Sequence, residues 1–113
     1  MSKPTDRDRQ RLLGLVGLGV RGRLAVVGVD QVRDAARRGS LALAIVAPDA
    51  SRHSRAKVVP LLDAKRIGIL EGPSAAELGA AAGRESTAAI GIVDRDLARG
   101  IRAIAETAKG GSA

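Results

Sequence analysis

The chain has 113 residues, enough for one domain with its own core and too few for two. Hydrophobic residues make up 45% and charged residues 27%, which marks a folded domain, and the absence of Trp, Tyr and Phe excludes ring platforms on which bases stack. With no cysteine and a single histidine, His53, disulfides, thiol nucleophiles, Cys/His zinc sites and a histidine triad are excluded, while a formal charge of +7 favours a polyanionic partner.

Met1 to Asp6 is polar and expected to fray, which leaves a single domain over 7–108 and a flexible tail over 109–113. Leu12, Leu13, Val16 and Val20 fall on one helical face, behind Arg7, Arg9 and Arg11, and glycines close that helix. Leu24–Val27 is a short strand stopped by Gly28. A helix follows from Val29 with Val32, Ala35 and Ala36 inward, and it ends in Arg37-Arg38-Gly39, a basic last turn with a glycine stop. Leu41–Ala47 is apolar throughout, as a strand covered on both faces must be.

Asp49 and Ser51 offer caps for a helix through Ser54, Val58, Leu61 and Leu62, which Pro60 is expected to kink or divide. Ile67–Leu70 reads as a strand and Glu71-Gly72-Pro73 as a loop. Ser74 with Glu77 forms a capping box for a short helix to Gly83. Thr87–Val93 is a further strand, and Asp94 caps a last helix with the stripe Leu97, Ile101, Ile104 and Ala108. Alternating helices and strands pack most economically as an α/β fold, a three-layer α/β/α sandwich around a small mixed four-stranded sheet.

Few residues carry chemistry. Gly17-Leu18-Gly19-Val20-Arg21-Gly22 spells GxGxxG, but a helix precedes it and a strand follows, the reverse of what dinucleotide binding needs. Asp30 and Asp34 are one helical turn apart and flanked by Arg33 and Arg37, a solvated face rather than a cation site. His53 lies on a polar helix start. No catalytic constellation, metal site or cofactor site emerges, so the chain is not expected to be an enzyme. Fourteen basic residues face six acids over residues 1–70, against five and six in the rest, and most are arginines, whose planar fork suits phosphate. A solubilising surface is the competing reading of the same charges. The turn at Gly28 combines a close backbone approach with the free amides of a helix start, near Arg21, Arg23, Arg33 and Arg37.

The run Gly28-Val29-Asp30-Gln31-Val32-Arg33-Asp34-Ala35 through Arg38-Gly39, with the apolar strand and Ala47-Pro48-Asp49-Ala50 after it, resembles the ribosomal-protein L7Ae family of kink-turn RNA binders. Gly72-Pro73-Ser74-Ala75-Ala76-Glu77-Leu78-Gly79, Gly83-Arg84-Glu85-Ser86 and the leading Leu13-Gly14-Leu15 are similar to its bacterial YlxQ-like branch. The likeness spans about residues 11–105. It implies a non-enzymatic protein that grips structured RNA, ribosomal or otherwise kink-turn-like, through the start of the second helix and the loop after the third strand.

The family pattern G-T-N-E-x-x-K falls on Gly28, Val29, Asp30, Gln31 and Asp34. Here Asp30 stands for the asparagine and Asp34 for the lysine, each lost contact costing about 1–3 kcal/mol. The second element falls on Gly72, Pro73 and Ser74, and Arg23, Arg33 and Arg37 are the cations expected at the phosphates. The implied partners are RNA and the proteins of the ribosome or of transcription and translation. With no apolar run near the roughly 20 residues of a membrane span and no signal peptide after Met1, a cytoplasmic monomer without membrane contact is expected. The two acids also motivate an alternative, a protein-interaction module on the same fold that has lost tight RNA binding.

Overall fold

The apolar stretch expected between two helical layers is the middle of the sheet. In the computed structural model, which describes residues 6–110 (107–110 by backbone alone), β2 (Leu43–Val46) is buried at every residue and paired on both sides. Along it the side chains alternate. Leu43 and Ile45 join Leu12 and Val16 of α1 (Asp6–Arg21), Leu78 of α4 (Ala75–Ala81) and Ile101 and Ile104 of α5 (Arg95–Gly110). Ala44 and Val46 join Val32 and Ala36 of α2 (Val29–Arg37) and Val58 and Leu62 of α3 (Arg52–Ala64). This alternation makes the three-layer α/β/α sandwich. The sheet is mixed, in the order β1 (Ala25–Val27), β4 (Ala89–Ile92), β2, β3 (Ile69–Glu71), with β2 and β3 parallel and the other pairs antiparallel.

Several boundaries move. The helix α1 opens at Asp6 and α5 runs to Gly110, while the rest of the expected tails, 1–5 and 111–113, lies outside the described residues. The side chain of Ala108, the last position of the expected stripe, lies outside them as well. Glu71, expected in a loop, is the last residue of β3, opposite Val46. Pro60 does not divide α3, which is one helix from Arg52 to Ala64. The carbonyl that Pro60 leaves unbonded belongs to Ala56, and both residues are exposed, so water can take that bond while Val58 and Leu62 stay in the core.

Caps follow the sequence more closely. Ser74 and Glu77 form the capping box, Ser51 Oγ accepts from Ser54 N–H, and Asp94 Oδ2 accepts from Leu97 N–H at 2.8 Å. Asp49 does not cap α3; its Oδ1 accepts from Ala75 N–H at 2.8 Å and ties the loop after β2 to the start of α4. The GxGxxG glycines close no ligand loop. Gly17 and Gly19 are buried within α1, where a Cβ at Gly19 would sit 2.5 Å from Leu97 of α5.

One ion pair braces the sheet edge that leads to the site. Arg55 donates to both carboxylate oxygens of Glu71 at 2.9 and 2.7 Å and to the carbonyl of Ala47 at 3.1 Å. The guanidinium hydrogen bond holds the Glu71 carboxyl below the usual carboxylate range, outweighing partial desolvation. With the folded value below the unfolded one, this stabilisation is complete above the unfolded pKa of about 4.3 and disappears as pH falls through the lower folded value. Half-exposed as Glu71 is, water screens the pair and its contribution is at most about 1 kcal/mol. Urea unfolding should therefore find Glu71→Gln less stable than wild type by up to about that amount near pH 7, with the gap closing as pH falls below the usual carboxylate range.

Candidate functional site

The strand registers decide which loops meet. Val27 lies opposite Ile90, and Val46 opposite both Ala89 and Glu71. Gly28, the loop 48–51, the loop Gly72–Ser74 and the turn 84–88 therefore share one end of the sheet, where α2, α3 and α4 all begin. Gly28 and Gly72 stand at opposite edges of that end, three strand spacings or about 14 Å apart.

At the α2 edge Gly28 adopts φ 98° and ψ 157°, a region that excludes a Cβ, while its N–H donates to the carbonyl of Ala89 at 2.9 Å. No side chain caps α2. The amides of its first turn have no carbonyl within the helix and carry the positive end of its dipole. A cleft of about 300 Å³ opens there between the first turn (Gly28, Val29, Asp30, Gln31), Ser54 and Lys57 of α3, and Arg84 from the turn after α4. Lys57 and Arg84 are exposed cations, and Asp30 is an exposed acid in the same cleft. A ligand seated here meets donors from main chain, lysine and guanidinium, with one carboxylate that can only accept. That set suits a phosphate-bearing group with hydrogen-bond donors of its own.

The expected cations are elsewhere. Arg33 turns between the helices and donates from Nη1 to the carbonyl of Lys57. Arg37 ends α2, about 12 Å along the helix axis from its first turn, and Asp34 is exposed one turn before it. Arg23 precedes the far end of β1, about 15 Å from Gly28, because the strand runs its whole length between them. The expectation that Arg23, Arg33 and Arg37 flank Gly28 is thus corrected: Lys57 and Arg84 do. Ser54 and Lys57, three apart on α3, signal only a shared helix face, and no local pattern encodes the strand order that sets that face against α2.

At the other edge, Gly72 N–H donates to the Val46 carbonyl at 3.0 Å, and Gly72 (φ 92°) backs onto the Pro48 ring. Ser74 is engaged as the α4 cap. Glu71 and Asp49, bonded to Arg55 and to Ala75 N–H, hold this loop from both sides. Among the described residues, no group of three His, Cys, Asp or Glu could hold a metal ion, and no helix is long and apolar enough to cross a membrane.

A family model described as the ribosomal protein L7Ae/L30e/S12e/Gadd45 family matches residues 12–102. No curated protein matches the chain. Among solved structures, a Bacillus halodurans protein of unknown function superposes with a TM-score of 0.77 at 29% identity, over 83% of this chain and 95% of that one. A Giardia lamblia 15.5kD RNA binding protein superposes with a TM-score of 0.75 at 21% identity, over 94% and 91%. At the latter identity the likeness establishes the fold.

Proposed function

The chain belongs to the ribosomal protein L7Ae/L30e/S12e/Gadd45 family, and from that premise we propose that it is a non-enzymatic RNA-binding protein that recognises folded RNA with the sheet end where α2, α3 and α4 begin. The observation that carries this reading is the cleft at Gly28, where main-chain donors, Lys57 and Arg84 converge beside Asp30 and Gln31. Lys57, Arg84 and the first-turn amides of α2 take phosphate oxygens, which fixes position. Asp30 and Gln31 take base edges, and an acceptor-only carboxylate favours edges rich in N–H donors.

Gly72, Pro73 and Ser74 supply a second, mostly main-chain contact about 14 Å away, so the target must be RNA whose fold presents two such points at once. Arg33 supports the cleft by holding α2 to α3. We place the chain in the YlxQ-like branch on Gly72–Gly79 and Gly83–Ser86, acting as a cytoplasmic monomer beside the ribosome or the transcription and translation machinery, on kink-turn-like or ribosomal RNA.

Gel retardation of a kink-turn RNA across salt tests the reading. Six or so phosphate contacts give a log–log slope of roughly −5, and a slope near zero defeats the proposal. Asp30 in the cleft favours the second reading, a protein-interaction module. Its signature is no retardation even at low salt, together with a partner whose capture survives nuclease.

A further inference from the structure

The charge excess does not sit at the cleft. At that end Arg52, Lys57 and Arg84 are matched in number by Asp30, Asp49 and Glu85, Arg55 is spent on Glu71, and Arg9 of α1 lies 3.6 Å from Glu77 at the start of α4. The pairings Ala25 with Ile92, Leu43 with Ile92 and Ala44 with Ile69 put the starts of β1, β2 and β3 together at the opposite end. The turns that enter these strands carry Arg23, then Arg37 and Arg38, then Lys65 and Arg66. All five are exposed, and none of their side chains is hydrogen-bonded or ion-paired to another described residue. The acids at this end are Asp34 on α2, Asp63 on α3 and, where β4 leads into α5, Asp94, which caps that helix, and Asp96, which pairs with Arg99; with Arg95 added to the five cations, the end keeps a positive excess.

Arginine or lysine in the last turn of a helix is explained by the helix dipole alone. That account does not reach Arg23 and Arg66. They lie beyond their helices and are the non-glycine residues with positive φ among those described, at 60° and 58°. Helices α1, α2 and α3 end in the same way. Arg23 N–H donates to Val20 and Leu24 N–H to Gly19; Gly39 N–H donates to Ala36 and Ser40 N–H to Ala35; Arg66 N–H donates to Asp63 and Ile67 N–H to Leu62. The middle turn uses glycine (φ 72°), the residue this conformation favours, and the two outer turns carry arginine in its place. A side chain kept in a disfavoured conformation at two equivalent positions on one end of the fold marks a use for that side chain.

We infer that this end is a second RNA-binding surface, which takes the phosphate backbone through Arg23, Arg37, Arg38, Lys65 and Arg66. The inference rests on the RNA-binding reading above and extends it: one molecule grips a folded element at the cleft and a neighbouring backbone at its far end. Arginine forks match phosphate geometry, and the strand spacing spreads them over about 14 Å, as a strand of backbone requires. Protein partners are anchored by buried aromatic or large apolar side chains; the chain has no aromatic residue, and Leu18 and Leu24, 57% and 38% exposed around the Arg23 turn, are two aliphatic side chains beside five cations.

The test replaces both strained arginines by the residue their backbone prefers. In the full chain, Arg23→Gly with Arg66→Gly removes two guanidinium groups while relieving strain, so the thermal midpoint stays or rises. Binding of a plain, unbulged RNA duplex of about 20 base pairs should weaken about tenfold near 0.1 M salt, with the log–log slope shallower by about 2. Lys57→Glu with Arg84→Glu, at the cleft, should spare duplex binding and lose the kink-turn RNA. An unchanged duplex affinity and slope in the glycine variant overturn the second surface, including the case where an acidic protein is released instead. A wild-type chain that binds neither RNA overturns both readings.

Discussion

Gly79→Ala is expected to destabilise the protein by about 3 kcal/mol, a fall on the order of 15 °C in the thermal midpoint, although alanine is the better helix former. Gly79 is buried in α4, and a Cβ there would lie 2.4 Å from Cα, 2.6 Å from N and 2.8 Å from C of Ser86. These are backbone atoms and cannot swing aside. The chain leaves α4, turns back at Gly83 (φ 74°) and passes directly over Gly79 on its way to β4, with Arg84 N–H donating to the Gly79 carbonyl at 2.7 Å. A methyl group must push that turn off the helix, and the turn carries Arg84. The same variant should therefore bind kink-turn RNA more weakly even at temperatures where it remains folded. Gly14→Ala is the contrast. Gly14 is exposed in α1 with nothing within 4 Å of the added atom, so stability should rise by about 0.5–1 kcal/mol. Urea unfolding of the pair checks the sign, and a stable Gly79→Ala protein would contradict the close passage at Ser86.

Charge reversal in the cleft carries the second large effect. Lys57→Glu with Arg84→Glu should weaken binding of kink-turn RNA about 100-fold near 0.1 M salt, close to 3 kcal/mol, because two charge-assisted phosphate contacts are lost and replaced by repulsion. Both side chains are exposed, and neither is ion-paired to another described residue, so the fold should not notice. Asp30→Asn runs the other way: it removes the acid from the cleft and restores an amide donor, and affinity should rise severalfold, about 1 kcal/mol. Fluorescence anisotropy with labelled RNA reads both. Equal affinity in the charge-reversed protein and wild type would place the binding surface elsewhere.

These variants divide the molecule's cations by what they do. Arg55 is structural, locked on Glu71 and Ala47. Arg33 joins α2 to α3, and Arg102 Nη2 donates to the carbonyl of Ala42 at 3.2 Å. Lys57 and Arg84 line the cleft. Sequence spacing cannot make that division, because each arginine looks alike until its neighbours are known.

Local rules carried much of the reading. Continuous apolar character at Leu41–Ala47 identified the doubly covered strand, the Ser74 and Glu77 spacing identified a capping box that forms, and alternating periodicities gave the layer architecture, since each depends only on residues a few positions apart. The same locality explains the errors. Of the two outcomes Pro60 suggests, a kink or a division of α3, the division does not occur, because propensity ignores the packing of Val58 and Leu62 on either side. Glu71 looked like loop because its strand pairing with Val46 and its partner Arg55 are not local.

By itself, then, the sequence determined the class of fold, the order of its elements and the glycine at the start of α2, each a matter of short-range sterics and hydrophobic period. Only the tertiary structure decided which cations share a surface. The strand β1 separates Arg23 from Gly28 whatever its neighbours, but the order β1-β4-β2-β3, with β4 antiparallel between β1 and β2, decides which residues of other elements stand beside Gly28. It brings Lys57 and Arg84, 27 positions apart, into one cleft. Strand order is fixed by burial of the two sheet faces across the whole chain, and no local pattern encodes it.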